Sequence, residues 1–313
     1  MQTISAFHLT FLLLDGFSNM VLASAIEPLR AARDLSGKRL FSWQIASPNG
    51  AAVFSSSRLS VGVDIALPRV GATDALIVVA GYGVREHLRR PTLQEVLQKG
   101  RGLPLVGGID TGAWLLAEAG LLAGRRATIH WMEREAMAET FPEVEVVAAP
   151  YVLDGNTVTA GGAQGVLSWS LDLIGRRADD ALRYDVGNMF GRTQIDPASL
   201  GPTRMIDRAL PVQLQRAVLA MRESAEHPQP LAKIAARVAL SSRTMDRLFR
   251  KHLGMAAGSY YRQIRLSYAR ALAIDSTQTL AEIATRTGFS SASTLARAYR
   301  AHFGETIKRS SQG

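Results

Sequence analysis

The chain has 313 residues, of which 47% are hydrophobic, a formal net charge of +9 and no cysteine. The length allows about two domains, the apolar fraction argues against long disorder, and the missing cysteine excludes disulfides, thiolate chemistry and cysteine-ligated metals. The first apolar run, residues 6–14, follows no Lys or Arg and is too short to cross a bilayer, so a cytoplasmic protein without a membrane partner is expected.

Strand and helix patterns alternate over the first 192 residues. Apolar bursts predict strands at 8–14, 41–47, 75–81, 104–108 and 127–131. Amphipathic segments predict helices at 20–33, 91–100, 111–122, 132–141 and 163–177. Residues 144–161 predict two strands around a turn at Asp154 and Gly155, and 179–191 is expected to close the domain. This alternation predicts a doubly wound, flavodoxin-like α/β fold.

The segment VGGIDTGAW (106–114) runs from a predicted strand directly into a predicted helix. Such a sharp turn is typical of the elbow that presents a nucleophile above a sheet, and here its tip is Asp110. The glycines suit a backbone forced into unusual dihedral angles. A second interpretation is that Asp110 only caps the helix that begins at Thr111, and the two interpretations have equal weight.

A ligand cleft is predicted where the strands end, because clefts of doubly wound sheets open at the carboxyl edge. The loops at that edge are 15–19, 81–83, 108–111 and 130–133. The ligand-binding candidates in these loops and the adjoining helices are Phe17, Glu27, Tyr82, Asp110, Thr111, Trp114, His130 and Trp131. Aromatic faces with carboxylates suit a cationic metabolite. For Trp114 and Trp131 burial in the core is the stronger alternative, His130 is more often structural, and Glu27 can be merely solvated.

Metal and cofactor sites are not expected. The six histidines show no metal-ligand spacing, and Gly81-Tyr82-Gly83 does not continue into a dinucleotide fingerprint because Glu86 stands where the third glycine belongs. No catalytic residue is predicted, since nothing supplies the base and oxyanion site that Asp110 would need as a nucleophile.

The C-terminal third contains a duplicated segment. LAKIAARVALSS (231–242) returns as LAEIATRTGFSS (280–291), and RLFRKHLG (247–254) returns as RAYRAHFG (297–304). Each copy predicts a short helix, a break, and a second helix that serines cap and arginines make cationic. This layout is typical of the helix-turn-helix, whose second helix enters the DNA major groove. Residues 255–274 predict a long helix that fixes the separation of the copies.

Positive charge is concentrated around this repeat. Residues 213–313 hold 16 Lys and Arg against 6 Asp and Glu, whereas residues 1–212 hold 20 against 21. Double-stranded DNA is the expected partner, because neutralised phosphates release counterions. The DNA-binding candidates are Ser242, Arg243, Asp246, Arg247, Arg250 and Lys251 in the first copy and Ser291, Ala292, Ser293, Arg297 and Arg300 in the second. Arginine pairs bidentately with guanine, so the first helix is expected to discriminate bases more sharply; Arg250, Lys251 and Arg300 are expected on phosphates.

Two stretches carry a family resemblance. GGIDTGAWLLAEAGLLAGRRATIHW (107–131) and LLLDGFSNMVLASAIEPLRAA (12–32) resemble the amidotransferase-like, PfpI-related domain at the front of some AraC-type bacterial regulators, and the repeat resembles the AraC/XylS DNA-binding domain. The combination is similar to regulators of choline, carnitine, glycine betaine and arginine catabolism. In the PfpI-like enzymes the elbow holds a cysteine, whereas this chain has Asp110, so the covalent chemistry of those enzymes is not available to it.

The sequence therefore predicts a ligand-responsive transcription regulator, an activator and not an enzyme. The expected organisation is a sensing domain (1–192), a linker containing three prolines (193–212) and an all-α DNA-binding domain with two helix-turn-helix units (213–313). The resemblance implies a small effector and a homodimer, with RNA polymerase as a further candidate partner. Two alternatives stay open: a PfpI-like hydrolase or amidase fused to a DNA-binding module, and a constitutive DNA-binding protein whose front domain only dimerises.

Overall fold

The computed structural model describes residues 6–88, 91–191, 210–275 and 278–307. Contacts divide these residues into an α/β unit (6–31 and 39–173) and a helical unit (32–38, 174–191 and the described residues from 210 onwards). The predicted linker lies outside the described residues except for 210–212. No helix in the described ranges is both long and apolar enough to cross a membrane.

A mostly parallel sheet forms the centre of the α/β unit, which confirms the predicted fold class. The strands described there are β1 (Phe7–Leu13), β2 (Phe41–Ser47), β3 (Val53–Phe54), β4 (Ser60–Val61), β5 (Ile65–Ala66), β6 (Ala75–Ala80), β7 (Leu105–Asp110), β8 (Arg126–Ala127), β9 (Glu145–Val146), β10 (Tyr151–Asp154) and β11 (Thr157–Ala160). Seven of them form one sheet in the order β10-β11-β7-β6-β1-β2-β5. Neighbouring strands are parallel except β10 and β11, which form the predicted hairpin.

Helices connect the strands as the alternating pattern predicted. The helices that follow the strands are α1 (Asn19–Ser36), α2 (Pro91–Lys99), α3 (Ala113–Glu118), α4 (Arg134–Thr140) and α5 (Ala163–Arg177). Every residue of β6 and β7 is buried, as expected for strands covered on both faces. Trp114, Leu115 and Leu116 of α3 pack in the same apolar core as Leu76 and Val78 of β6.

The largest differences from the predicted boundaries concern one strand and one helix. The strand expected at 127–131 is limited to β8, because Thr128 bonds through its amide to Thr159 Oγ1 (2.9 Å) and through its hydroxyl to the carbonyl of Ala149 (2.9 Å). Side chains thus replace the backbone ladder there. The helix expected at 111–122 ends at Glu118, and Gly120 follows in the left-handed conformation (φ 68°) that commonly terminates helices.

The helical unit is built from α6 (Asp180–Met189), α7 (Val212–Glu223), α8 (Leu231–Arg237), α9 (Ser242–Leu253), α10 (Ala257–Asp275), α11 (Leu280–Arg286) and α12 (Ala292–Phe303). α8 and α9 form the first helix-turn-helix, and α11 and α12 form the second. Each copy has its own apolar core, centred on Met245 and Phe249 in the first and on Leu295 and Tyr299 in the second. This confirms the predicted all-α domain with two such units.

The turns of the two copies differ by one residue. Ala239 (φ 56°) and Gly288 (φ 69°), which are 49 residues apart, both take the left-handed conformation inside the turn. The serines whose side chains cap the second helices, Ser241 and Ser291, are 50 residues apart; each accepts a hydrogen bond of 3.1 Å from the amide three residues later. The separation between equivalent residues of the two copies therefore changes from 49 to 50 within the turn.

The helix α6 packs in the helical unit, although residues 179–191 were expected to close the α/β sheet. Ala181 belongs to the core of the first helix-turn-helix. The Asp185 carboxylate accepts hydrogen bonds from Arg222 Nη2 (2.6 Å) and Tyr260 Oη (2.5 Å), which lie on α7 and α10. Burial raises the pKa of Asp185, while the charge of Arg222 acts in the opposite direction. Three helices thus meet at one carboxylate.

Candidate functional site

The elbow between β7 and α3 holds Asp110 in a strained conformation. Asp110 has φ 61°, a left-handed value that few residues other than glycine, asparagine and aspartate adopt. Its carbonyl accepts a 3.0 Å hydrogen bond from the amide of His130. Gly112 must be glycine, because a Cβ there would lie 2.6 Å from the carbonyl oxygen of Val78. Close packing of this turn against the sheet therefore fixes the backbone beneath the Asp110 carboxyl.

The capping interpretation of Asp110 is wrong. α3 begins at Ala113, its N-cap position is Gly112, and no side chain caps it. Asp110 is instead a buried carboxyl, with 8% of the residue exposed, at the wall of a cavity. Burial raises its pKa to about 6, and the charge of His130 acts in the opposite direction. The side chain is thus held where its charge is costly, as functional carboxyls often are.

A cavity of about 500 Å³ opens beside Asp110 at the carboxyl edge of the sheet. Its walls come from five segments, and the lining residues are Gly16, Ser18, Ser56, Gly81, Tyr82, Gly83, Val84, Arg85, Glu86, Asp110, Thr111, His130, Met132 and Glu133. The Thr111 hydroxyl donates a 2.7 Å hydrogen bond to the Gly81 carbonyl, which ties the elbow to the loop after β6. A volume of this order suits a small metabolite.

Four of the eight predicted ligand-binding residues line the cavity: Tyr82, Asp110, Thr111 and His130. The other four do not. Phe17, in the loop before α1, and Trp114, on α3, are buried in the core with 0% and 1% exposure; for Trp114 this is the alternative that the sequence favoured. Trp131 is 67% exposed and contacts the His130 ring, and Glu27 pairs with Arg30 one turn away on α1 (2.7 Å). The prediction that several aromatic faces meet at the ligand is wrong, because the lining holds one aromatic ring, Tyr82, besides the His130 imidazole.

Charged residues that the sequence analysis missed complete the lining. Glu133 Oε2 accepts hydrogen bonds from Arg85 (2.7 Å) and from Trp114 Nε1 (2.9 Å). The Arg85 guanidinium also lies over the Trp114 ring, 4.5 Å from its centroid. The sequence could have indicated them, since Glu133 is the last residue of the predicted loop 130–133, and Arg85 and Glu86 follow shortly after the predicted loop 81–83. The carboxylates of Asp110, Glu86 and Glu133 outnumber the one guanidinium, so an ionised Asp110 makes the cavity negative.

The exposed faces of α9 and α12 form the second candidate site. Apolar residues at intervals of four, Met245, Phe249 and Leu253 in α9, face the core, and the same pattern recurs in α12. The opposite face of α9 exposes Ser242, Arg243, Arg247, Arg250 and Lys251, and that of α12 exposes Ser293, Arg297 and Arg300, with Ala292 half-buried. Most predicted DNA-binding residues therefore lie on the two expected faces.

Two of the predicted DNA-binding residues have structural roles. Asp246 accepts hydrogen bonds from Arg250 Nε (2.8 Å) and from the amide of Ala257 at the start of α10 (3.0 Å). These two hydrogen bonds lower the pKa of the Asp246 carboxyl, and the one from Arg250 has the larger effect. Ser291 is the N-cap of α12. Asp246 thus joins α9 to α10 and restrains Arg250. The sequence did not indicate this role, because the amide of Ala257 lies eleven residues further along the chain.

The described residues hold no cluster of three or more His, Asp or Glu side chains that could bind a metal ion.

Comparison with protein families gives two matches along the chain. Residues 8–176 match the DJ-1/PfpI family, and residues 234–312 match a helix-turn-helix domain. The first range covers the sheet and the cavity, and the second covers most of α8 to α12. The segment between them, which includes α6 and α7, is matched by neither family model.

Two relatives match this chain over both of these ranges. The chain is similar to the HTH-type transcriptional regulators GbdR (34% identity, covering 97% of this chain and 83% of GbdR) and CdhR (36%, 94% and 88%) of Pseudomonas aeruginosa. Among solved structures it is similar to an AraC family transcriptional regulator from Pseudomonas putida, with a TM-score of 0.54 and 27% identity over 59% of this chain and 99% of that one.

Proposed function

The chain belongs to the DJ-1/PfpI family and is an AraC-type helix-turn-helix transcription regulator, and from this premise we propose that its α/β unit binds a small effector in the cavity beside Asp110. The observation that carries the proposal is the buried carboxyl on a strained elbow at the wall of that cavity. We further propose that the protein is a cytoplasmic activator that works as a homodimer on double-stranded DNA and contacts RNA polymerase.

The charges of the lining favour an effector with a positively charged group. Asp110, Glu86 and Glu133 are acidic, and Arg85 is already bonded to Glu133. A cation beside Asp110 would offset the cost of the buried carboxylate. Charge complementarity, rather than contact with aromatic faces, is therefore the basis of the proposed selectivity.

We propose that the elbow has no catalytic activity of its own. The alternative is a hydrolase or amidase of the PfpI-like kind joined to a DNA-binding module. This chain has no cysteine, and the elbow presents a carboxyl whose raised pKa disfavours the nucleophilic anion below about pH 6. Binding without chemistry is the use that this arrangement supports best.

The effector proposal is tested by ligand-induced stabilisation of the full chain. The panel comprises betaines, carnitine, amino acids and guanidino compounds, each paired with an uncharged analogue. A ligand that binds only the folded protein raises its stability by RT ln(1 + [L]/Kd), about 2.7 kcal/mol at a hundredfold excess over Kd. We expect at least one compound with a positively charged group to raise the melting temperature, and its analogue without that group to have little effect.

Asp110→Asn is the matched variant for this experiment. It preserves the shape of the side chain and tolerates a positive φ, so the protein should fold and bind DNA normally but lose most of the stabilisation by the cationic compound. Normal stabilisation of a folded Asp110→Asn protein would show that the effector does not depend on this carboxyl. If no compound stabilises the wild-type protein, the alternative of a constitutive DNA-binding protein gains support.

Base reading by α9 is expected to depend on Arg247. Arg247 is exposed on the proposed DNA-facing side, whereas Arg250, three residues on, is bonded to Asp246. Arg247→Ala should weaken binding to a selected operator about tenfold to a hundredfold and binding to random DNA much less, because a bidentate pair with a base discriminates by about 1–3 kcal/mol.

Arg250→Ala serves as the control for Arg247→Ala. It removes a cation restrained by Asp246 and should weaken operator and random DNA by similar, smaller factors. Both variants are measured by fluorescence anisotropy at one salt concentration, because phosphate contacts are salt-dependent. Equal losses on operator and random DNA for Arg247→Ala would identify Arg247 as a phosphate contact.

A further inference from the structure

The helix α10 belongs to both helix-turn-helix cores. Its first half contributes Tyr260 and Tyr261 to the core that contains α8 and α9. Its second half contributes Leu266 and Ala269 to the core that contains α11 and α12. The change from one core to the other falls at Arg265, which is half-buried between them.

The Arg265 side chain contacts both copies. Its Nη1 donates hydrogen bonds to the carbonyls of Thr287 (3.3 Å) and Gly288 (3.0 Å), at the end of α11 and in the turn after it. The guanidinium lies 5.3 Å from the centroid of the Tyr261 ring and 4.8 Å from that of Phe289. Tyr261 belongs to the first core and Phe289 to the second. A planar cation that stacks on aromatic rings and bonds to carbonyls in one fixed geometry restrains rotation as well as distance.

The loop between α7 and α8 contacts the same turn of the second copy. Arg286 forms an ion pair with Glu226 of this loop. Gly288 packs against Pro228: a Cβ at Gly288 would lie 2.8 Å from the Pro228 ring and 3.0 Å from Arg265 Nη1. No side chain could be accommodated at Gly288, so the turn of the second copy packs closely against Pro228 and Arg265.

Tyr261 holds the loop in place beneath Arg265. Its hydroxyl donates a 3.0 Å hydrogen bond to the carbonyl of Ser224 and accepts one of 3.1 Å from the amide of Gln229. The loop, Tyr261, Arg265 and the second turn therefore form one continuous set of contacts between the two copies.

We propose that Arg265 is a positioning residue that fixes the distance and rotation between α9 and α12, so that the protein reads two half-sites at one spacing only. The inference rests on base reading by these two helices. With about 10–10.5 base pairs per helical turn, one inserted base pair moves a half-site by about 3.4 Å and rotates it by about 35°. A rigid pair of recognition helices cannot follow that change, whereas a pair released from the Arg265 contacts can.

The test uses the full chain and a DNA duplex selected from a random pool by the wild-type protein. Affinity is measured on this duplex and on versions with one base pair added or removed between the half-sites. We expect the wild-type protein to lose at least about tenfold in affinity for either altered spacing, the loss of roughly one base contact or more. For Arg265→Ala, we expect weaker binding at the selected spacing and less than about a threefold difference among the three duplexes.

Two further variants make the result specific. Arg262→Ala removes an exposed arginine from the same helix and should leave the dependence on spacing as in the wild type, whatever its effect on affinity. Arg265→Lys keeps the charge but lacks the planar fork, so it should show an intermediate dependence on spacing. If Arg265→Ala fails to fold, the dependence of Arg265→Lys on spacing tests the proposal in its place. A loss of overall affinity alone is what a merely structural role would produce.

An unchanged dependence on spacing in a folded Arg265→Ala or Arg265→Lys protein overturns the inference. A wild-type protein that binds all three duplexes equally also overturns it. If base reading by α9 is itself wrong, the result is different: Arg247→Ala weakens binding to operator and random DNA equally.

Discussion

Asp110→Asn should stabilise the folded protein at neutral pH by about 2–3 kcal/mol. The pKa of Asp110 is raised from its ordinary value near 4 to about 6, chiefly by burial, so the folded state holds a proton that the unfolded state releases. The stability that this group contributes is complete below about pH 4 and is lost as pH rises through about 6. Above that pH the wild-type protein carries the cost of a buried carboxylate, which an uncharged Asn avoids.

Urea unfolding of wild type and variant between pH 4.5 and 8 measures this difference. The two free energies of unfolding should converge at the acidic end and separate as pH rises. His130→Ala serves as a second background: it removes a charge that lowers the pKa of Asp110, so in that background the difference made by Asp110→Asn should develop at a higher pH. A difference that does not change with pH would mean that the carboxyl titrates normally.

Asp185→Ala should destabilise the helical unit by about 2–4 kcal/mol. The carboxylate accepts hydrogen bonds from Arg222 and Tyr260, and its side chain is 19% exposed. Removing one partner of a largely buried ion pair leaves the other charge without compensation, which costs more than the pair itself contributes. Calorimetry of the full chain should record the loss in the transition that belongs to the helical unit.

Glu223→Ala is the matched control for Asp185→Ala. Glu223 lies on α7 in the same unit and pairs with Arg237; both side chains are exposed (46% and 59%), so its removal should cost less than about 1 kcal/mol. Asp185→Asn should fall between the two, because an amide oxygen can still accept from Tyr260 but cannot balance Arg222. A loss for Asp185→Ala no larger than that for the control would show that α6 does not depend on this carboxylate.

The sequence was sufficient for features that depend on local pattern. The buried strands β6 and β7, the elbow at Asp110 and the serine caps of α9 and α12 follow from apolar runs, glycine spacing and capping chemistry, each within about ten residues. The duplication itself predicted two helix-turn-helix units. These signals are strong because the neighbours that determine each element are adjacent in the chain.

Features that depend on distant partners were not predictable. The sequence predicted only that 179–191 closes the α/β domain and could not show that Asp185 would meet Arg222 and Tyr260. Likewise, four loops around the cavity were placed correctly, whereas the loop that contributes Ser56 was not predicted. The sequence favoured burial of Trp114 but could not show that its ring packs against Phe141 (ring centroids 5.5 Å apart). Periodicity fixes which face of a helix is apolar; it does not identify what covers that face.

The left-handed backbone at Asp110 restricts how this regulator can diversify. Asn and Gly tolerate a positive φ at little cost, whereas β-branched and bulky residues are strained there. An aspartate codon reaches both Asn and Gly by a single base change. Descendants of this gene can therefore replace the carboxylate at position 110 with an amide or with no side chain while the elbow keeps its backbone conformation. The preferred metabolite can then change while the fold and the operator stay the same.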